Sequence, residues 1–170
     1  MKLSTKGRYA VTALADIALA GAAPDGAEGR RVSLAEISAR QDISSAYLEQ
    51  LFARLRRAGL VDSIRGPGGG YRLARPAAQV TIAEVMSAVD ERLNAMGCES
   101  DAKGAVGQGC GGSKAQCLTH DLWEQLSAHV HVFLSKTTLA DVVSDRLVPC
   151  PAVPDFAALL NEETPPGAQA

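Results

Sequence analysis

Apolar side chains recur at helical spacing early in the chain, at Ala10, Val11, Leu14, Ile17 and Ala18. Positions three and four apart share one helix face, so this spacing predicts an amphipathic helix. Ser4 can cap its first turn, and Gly21 with Pro24-Asp25-Gly26 ends it before a polar loop over 23–31. Ser33-Leu-Ala-Glu36 is a capping-box pattern that opens a short helix with Leu34 and Ile37 inward. Gln41-Asp-Ile43 makes a tight break. Ser44 then caps a further helix with Leu48, Leu51, Phe52 and Leu55 on one face and Gly59 at its end.

The period then changes. Leu60–Arg65 and Tyr71–Ala74 alternate in character around Gly66-Pro-Gly-Gly-Gly70, which predicts a β-hairpin with a glycine-rich tip, and Pro76 closes this part of the chain. Thr81-Ile-Ala-Glu84 is a second capping box, opening a helix to about Glu91 that buries Ile82, Val85, Met86 and Val89. Residues 92–119 carry no periodic signal. From His120 or Asp121 an amphipathic helix resumes with Leu122, Leu126, Val130 and Phe133 in a stripe and Trp123 and Leu134 beside it. Thr138-Leu-Ala-Asp141 starts a last short helix, and the Pro-, Ala- and Glu-rich tail over 148–170 is expected to be mostly disordered.

Two short helices joined by a tight turn and followed by a hairpin form the winged helix-turn-helix order. The expected fold is mainly α with a small β-hairpin wing. It divides into a winged helix-turn-helix domain over 1–76, a connecting helix, loop (92–120) and long helix (121–135) within 77–147, and the tail.

The 170 residues, 46% of them hydrophobic, are enough for one domain with its own core, and they exclude a wholly disordered or collagen-like chain. No run approaches the roughly 18 apolar residues a membrane span needs, so no membrane partner is expected and a cytoplasmic location is the simplest reading. The net charge of −2 hides an asymmetry. Residues 1–75 carry 12 Lys and Arg against 7 Asp and Glu, whereas residues 76–170 carry 5 against 12. A basic N-terminal half points to a polyanionic partner and the acidic remainder to assembly or sensing.

In a winged helix the second helix of the pair enters the major groove of double-stranded DNA. That helix would be 45–58, with Ser44, Ser45, Ala46, Tyr47, Glu49 and Gln50 exposed on its first turns. Gln suits adenine, Glu the amino group of cytosine, and Ser and Tyr either bases or phosphates. A carboxylate such as Glu49 is repelled by phosphate, so facing DNA it either accepts from a base or disfavours wrong sites. Arg65 at the base of the wing can reach the minor groove, and the wing tip, with Gly66 and Pro67, can come close to phosphate or sugar. Lys2, Lys6 and Arg8 at the start of the first helix suit phosphates. The blander readings are a solvated edge for Arg54, Arg56 and Arg57 and a plain tight turn for the glycines. A nucleotide-binding loop is disfavoured, because the glycine run lacks a Gly-Lys-Ser/Thr ending and leads into a strand.

Cys98, Cys110, Cys117 and His120 lie in one segment that holds six glycines, spaced Cys-x11-Cys-x6-Cys-x2-His. Four nitrogen and sulfur ligands can hold zinc or an iron–sulfur cluster, and this spacing has only one tight pair where structural zinc sites usually have two. The cysteines could instead be incidental or paired as disulfides, and a reducing compartment argues against disulfides. Cys150 lies apart from the group. His129 and His131, two positions apart on a helix, fall on different faces.

The motifs Leu3-Ser-Thr-Lys-Gly-Arg-Tyr-Ala-Val-Thr12, Ile43-Ser-Ser-Ala-Tyr-Leu-Glu-Gln-Leu-Phe52, Arg65-Gly-Pro-Gly-Gly-Gly-Tyr71, Ser87-Ala-Val-Asp-Glu91 and Cys117-Leu-Thr-His120 together resemble the IscR-type regulators. These are winged-helix transcription factors that carry an iron–sulfur cluster. The resemblance covers residues 2 to about 147. It implies a homodimer paired through the long helix, on a palindromic operator. It also implies a 2Fe-2S cluster held by Cys98, Cys110, Cys117 and His120, and repression of iron–sulfur assembly genes. Tyr47, Glu49, Gln50 and Arg65 fall at the family's DNA-contacting positions. Two features depart from the pattern. The Cys98-to-Cys110 gap is longer than usual, and Ala46 stands where serine is more typical. A sister group that senses nitric oxide with a 4Fe-4S cluster generally lacks the histidine and differs at the position of Arg8. Two further readings are a winged-helix regulator with structural zinc or no metal, and an iron–sulfur enzyme or electron carrier. No Gly-x-Ser-x-Gly, His-Glu-x-x-His or paired acid–base constellation supports an enzyme.

Overall fold

The computed structural model describes residues 4–21, 30–66, 68–91 and 120–147. Helix α1 (Thr5–Gly21) is followed by α2 (Leu34–Gln41) and α3 (Ser45–Arg57), then by strands β1 (Val61–Ile64) and β2 (Gly70–Leu73). A single 3-10 turn at Ala77–Gln79 leads into α4 (Ile82–Ala88), and α5 (His120–Lys136) and α6 (Leu139–Val143) complete the described chain. The winged helix-turn-helix order is therefore the observed one.

The helix starts follow their capping residues. Ser33 with Glu36 and Thr81 with Glu84 both form complete capping boxes, and Thr138 with Asp141 forms a third. Each side-chain oxygen accepts from a backbone N–H that the first turn would otherwise leave unpaired. Between α2 and α3, Asp42 takes the left-handed conformation at φ 53°, and buried Ile43 turns the chain into α3. Helix α4 stops at Ala88, short of the expected Glu91: Val89 is its C-cap, and Asp90 enters the left-handed region at φ 54°.

One core serves the described elements. Ala10, Leu14 and Ile17 of α1 pack with Ile37, with Leu48, Leu51, Phe52 and Leu55 of α3, and with Leu60 and Val61 at the start of the hairpin. Val80, Ile82, Val85, Val89 and Leu139 extend it under α4 and α6. Gly7 is buried where α1 crosses α4. Asp16 is the single buried charged residue among the described residues, at 6% exposure. Arg40 of α2 donates to its carboxylate from Nε at 3.0 Å and Nη2 at 2.6 Å, and Gln41 Nε2 donates at 2.8 Å. The periodicity that places Asp16 beside Ile17 gives no sign of this clamp, because its partners lie 24 and 25 residues away.

The two strands pair antiparallel with Val61 opposite Leu73 and Ile64 opposite Gly70. Val32 adds a third rung on the other edge of β2, exchanging backbone hydrogen bonds with Tyr71 at 2.9 and 2.8 Å. This contact fixes the wing against the α1–α2 connection. It also explains Gly70, whose φ is +156° and where an added Cβ would lie 2.8 Å from the Val32 carbonyl oxygen. Among the described residues no helix is long and apolar enough to cross a membrane. The expected cysteine segment at 92–119 and the tail from 148 lie outside the described residues.

These contacts set the stability of two positions. Gly70→Ala should cost about 2–3 kcal/mol, because backbone strain and a backbone clash coincide there; urea unfolding of the variant measures it. The Asp16 carboxyl is held below its ordinary value mainly by its hydrogen bonds from Arg40, against the opposing effect of burial. Its contribution is therefore complete above about pH 4 and fades as pH falls through the depressed folded value. Urea midpoints taken from pH 6 to pH 2 should fall less steeply for Asp16→Asn than for the wild type.

Candidate DNA interface and metal-binding segment

Helix α3 divides its surface sharply. Leu48, Leu51, Phe52 and Leu55 are buried, while Ser44, Ser45, Ala46, Glu49 and Gln50 are exposed. The Ser44 hydroxyl accepts from the Tyr47 amide at 3.3 Å and so caps the helix. Tyr47 is only half-exposed. Its ring meets that of Tyr9 edge-on, with centroids 5.9 Å apart and planes at 83°, so α1 fixes its direction.

The wing is held on the same helix. Phe52 and Tyr71 pack edge-to-face at 4.7 Å, and Arg56 Nη1 donates to Ser63 Oγ at 3.3 Å. Arg65 and Gly66 are exposed at the wing base, with Gly66 at φ +105° and its carbonyl accepting from the Gly69 amide at 2.9 Å. Pro67 lies outside the described residues. The structure thus brings the expected recognition helix and the wing base together as one rigid unit.

The first turn of α1 is arranged differently from the phosphate-facing expectation for its two cations. Arg8 is exposed, but Lys6 Nζ donates to the Asp90 carbonyl at 2.9 Å. Arg54, expected on a solvated edge, pairs with the Asp90 carboxylate. Arg56 and Arg57 remain exposed.

The long α5 carries large apolar side chains into solvent. Leu122, Trp123, Leu126, Val132 and Phe133 are between 39% and 61% exposed. A concentration of this kind on one helix marks a surface that meets something else.

A family model described as Rrf2, iron-dependent transcriptional regulator, matches residues 3–145. The chain belongs to the Rrf2 family. It is 55% identical over 163 residues to the HTH-type transcriptional regulator IscR of Cereibacter sphaeroides, a match that covers 96% of this chain and 100% of that protein. The solved structure of T. potens IscR aligns with a TM-score of 0.63 at 34% identity, over 85% of this chain and 88% of that one. The global cysteine regulator CymR of B. subtilis aligns with a TM-score of 0.64 at 31% identity, over 85% and 98%. This Rrf2 protein is an IscR-type, DNA-binding transcriptional regulator with a winged-helix fold, and not an enzyme.

Of the expected metal ligands in this IscR-type chain, Cys98, Cys110 and Cys117 lie outside the described residues, and the backbone of His120 opens α5. Among the described residues there is no group of three or more His, Cys, Asp or Glu side chains that could hold a metal. Three thiols and an imidazole are a donor set that suits zinc or an iron–sulfur cluster.

Asp90 and Glu91 stand out in the sequence only as part of a motif, yet both carry structural contacts. The Glu91 carboxylate accepts from the Ser4 amide at 2.8 Å and from the Ser4 hydroxyl, and the Gly7 amide also bonds to it. Burial raises the Glu91 carboxyl, yet these hydrogen bonds, aided by the Lys6 charge, leave it below its ordinary value. Nothing local in sequence signals these contacts, since Ser4 and Glu91 are 87 residues apart.

Proposed function

We propose that this regulator is a cytoplasmic homodimeric repressor of iron–sulfur cluster assembly genes, which binds palindromic duplex DNA and senses a 2Fe-2S cluster. The observation that carries the DNA part is the exposed polar first turn of α3, held rigidly beside an exposed wing base. In this reading residues 1–76 form the DNA-binding domain and 77–147 the sensing and pairing part. Ser44, Ala46, Tyr47, Glu49 and Gln50 face the major groove, with Gln50 and Glu49 reading base edges. Arg65, Gly66 and Pro67 meet the minor groove, and Arg8 lies near phosphate, whereas Lys6 is held by the Asp90 carbonyl. The exposed apolar side chains of α5 support pairing with a second copy, since dimerisation would cover them.

Cys98, Cys110, Cys117 and His120 would hold the cluster. Bound there, the cluster would supply a redox-active group that can be lost from the protein. His120 is the weak ligand of the set, because a neutral imidazole dissociates more readily than a thiolate.

Protein purified without oxygen should contain about two irons and two acid-labile sulfides per chain. Four of each would replace this reading with the nitric-oxide-sensing type, and zinc alone would remove the sensing chemistry. His120→Cys should lengthen cluster lifetime in air, followed by visible absorbance. On the DNA side, Gln50→Ala should weaken specific binding by about 1–3 kcal/mol and relax preference at one base-pair position. Arg8→Ala should instead reduce the slope of log affinity against log salt by about one for each phosphate no longer neutralised. Fluorescence anisotropy with matched and mismatched duplexes separates the two effects.

A further inference from the structure

We propose that Asp90 and Glu91 are positioning residues that hold the first turn of α1 and the recognition helix α3 to the start of the cysteine-bearing segment. Through them the state of that segment sets DNA affinity. The coupling part rests on the sensing function proposed above, whereas the positioning part does not.

Helix α1 has no acidic residue in its own first turn. Glu91 supplies one from a distant part of the chain, bonding to the amides of Ser4 and Gly7 and to the Ser4 hydroxyl. A carboxylate placed there satisfies otherwise unpaired N–H groups and complements the positive end of the helix dipole. Glycine at position 7 permits the approach. An added Cβ would lie 2.7 Å from Met86 Sδ and 3.0 Å from Glu91 Cγ.

Asp90 makes the second connection. Its backbone is left-handed at φ 54°, a conformation uncommon outside glycine and tolerated best by Asp and Asn. Its carbonyl accepts from Lys6 on α1, and its carboxylate pairs with Arg54 on α3. The pair is exposed, 41% at Arg54 and 78% at Asp90, so it contributes little stability. What it does is fix where the end of α4 sits relative to the two helices. Directly after Glu91 begins the segment that leads to Cys98.

The helix that follows that segment is latched at its C-terminal end. Helix α5 begins at His120, and immediately after it the Thr137 carbonyl accepts from the Ile82 amide at 2.9 Å while the Leu139 amide donates to the Val80 carbonyl at 2.8 Å. The cysteine-bearing stretch therefore leaves from a corner tied to α1 and α3 and returns through a helix latched to α4. A rearrangement of that stretch acts on the corner, because Glu91 is the residue directly before it and is bonded to the first turn of α1.

The test uses the full chain as wild type and as the Asp90→Asn, Glu91→Gln double variant, since Asn retains the left-handed conformation and Gln retains size. Affinity is measured by anisotropy for a duplex selected by the wild type from a random pool, with metal-loaded and metal-free protein. The wild-type ratio of the two affinities is expected in the range of about 5–150-fold, and the double-variant ratio should fall to within about twofold of one. A double-variant ratio equal to that of the wild type overturns the coupling. A second measurement needs no metal. Amide hydrogen exchange in the metal-free variant should quicken several-fold at Gly7, Arg8 and the last turn of α3, with Ile37 in α2 unchanged. Unaltered exchange at all of them overturns the positioning role. Equal acceleration at Ile37 overturns it too, because it reports general loosening. A wild-type affinity ratio of one overturns both the sensing function and the coupling, and the exchange data then decide positioning alone.

Discussion

The structure depends on one helix doing two incompatible things at once. Helix α3 must bury Leu48, Leu51, Phe52 and Leu55 completely, yet leave its first turns bare for a polar partner. A helix can do both because its faces are separated by the 3.6-residue period and its N-terminal turn extends beyond the packed stripe. The surrounding elements are arranged around that requirement. Helix α1 lies under the buried face, the hairpin grips Phe52 through Tyr71, and Tyr9 steadies Tyr47 from the side. Close packing of this kind transmits small displacements rather than absorbing them, which makes the fold suited to regulation.

Polar contacts complete the placement of the helices in two different environments. The Asp16 carboxylate is buried and satisfied by Arg40 and Gln41, so removing Arg40 would leave a desolvated charge. That clamp sets α2 on α1 and thereby the angle at which α3 emerges from the turn. The contacts at Asp90 and Glu91 lie nearer the surface, where ionic pairs are screened and individually weak. A rigid buried clamp on one side of α1 and a yielding corner on the other are what a regulated DNA-binding unit needs: a fixed reading head and an adjustable mounting.

The charge distribution has the same logic. The excess of basic residues lies in the half of the sequence that forms α1 to β2, and part of that excess is internally committed, through Lys6, Arg40, Arg54, Arg72 and Arg75. Counting charges along a sequence therefore overstates the field available to DNA. Arg8, Arg57 and Arg65 are left facing solvent, on the first turn of α1, the last turn of α3 and the base of the wing.

Much of the fold was legible in the sequence because its signals are local. Capping boxes at Ser33 and Thr81, the Ser44 cap, the glycine-rich hairpin tip and the stripe on α3 are each written within a few residues, and each element formed where those signals stood. The exposed candidates Glu49, Gln50 and Arg65 were legible for the same reason, since a buried stripe defines its own outer face. The termination of α4 at Ala88, the clamp on Asp16, the third rung at Val32 and the commitment of Lys6 and Arg54 to Asp90 were not legible. Sequence by itself determined which segments are helices or strands and which face of each is apolar, because periodicity and capping act over a single turn. Only the tertiary structure decided which polar side chains are spent inside the protein, because hydrogen-bond partners such as Ser4 and Glu91 meet only after the intervening chain has folded between them.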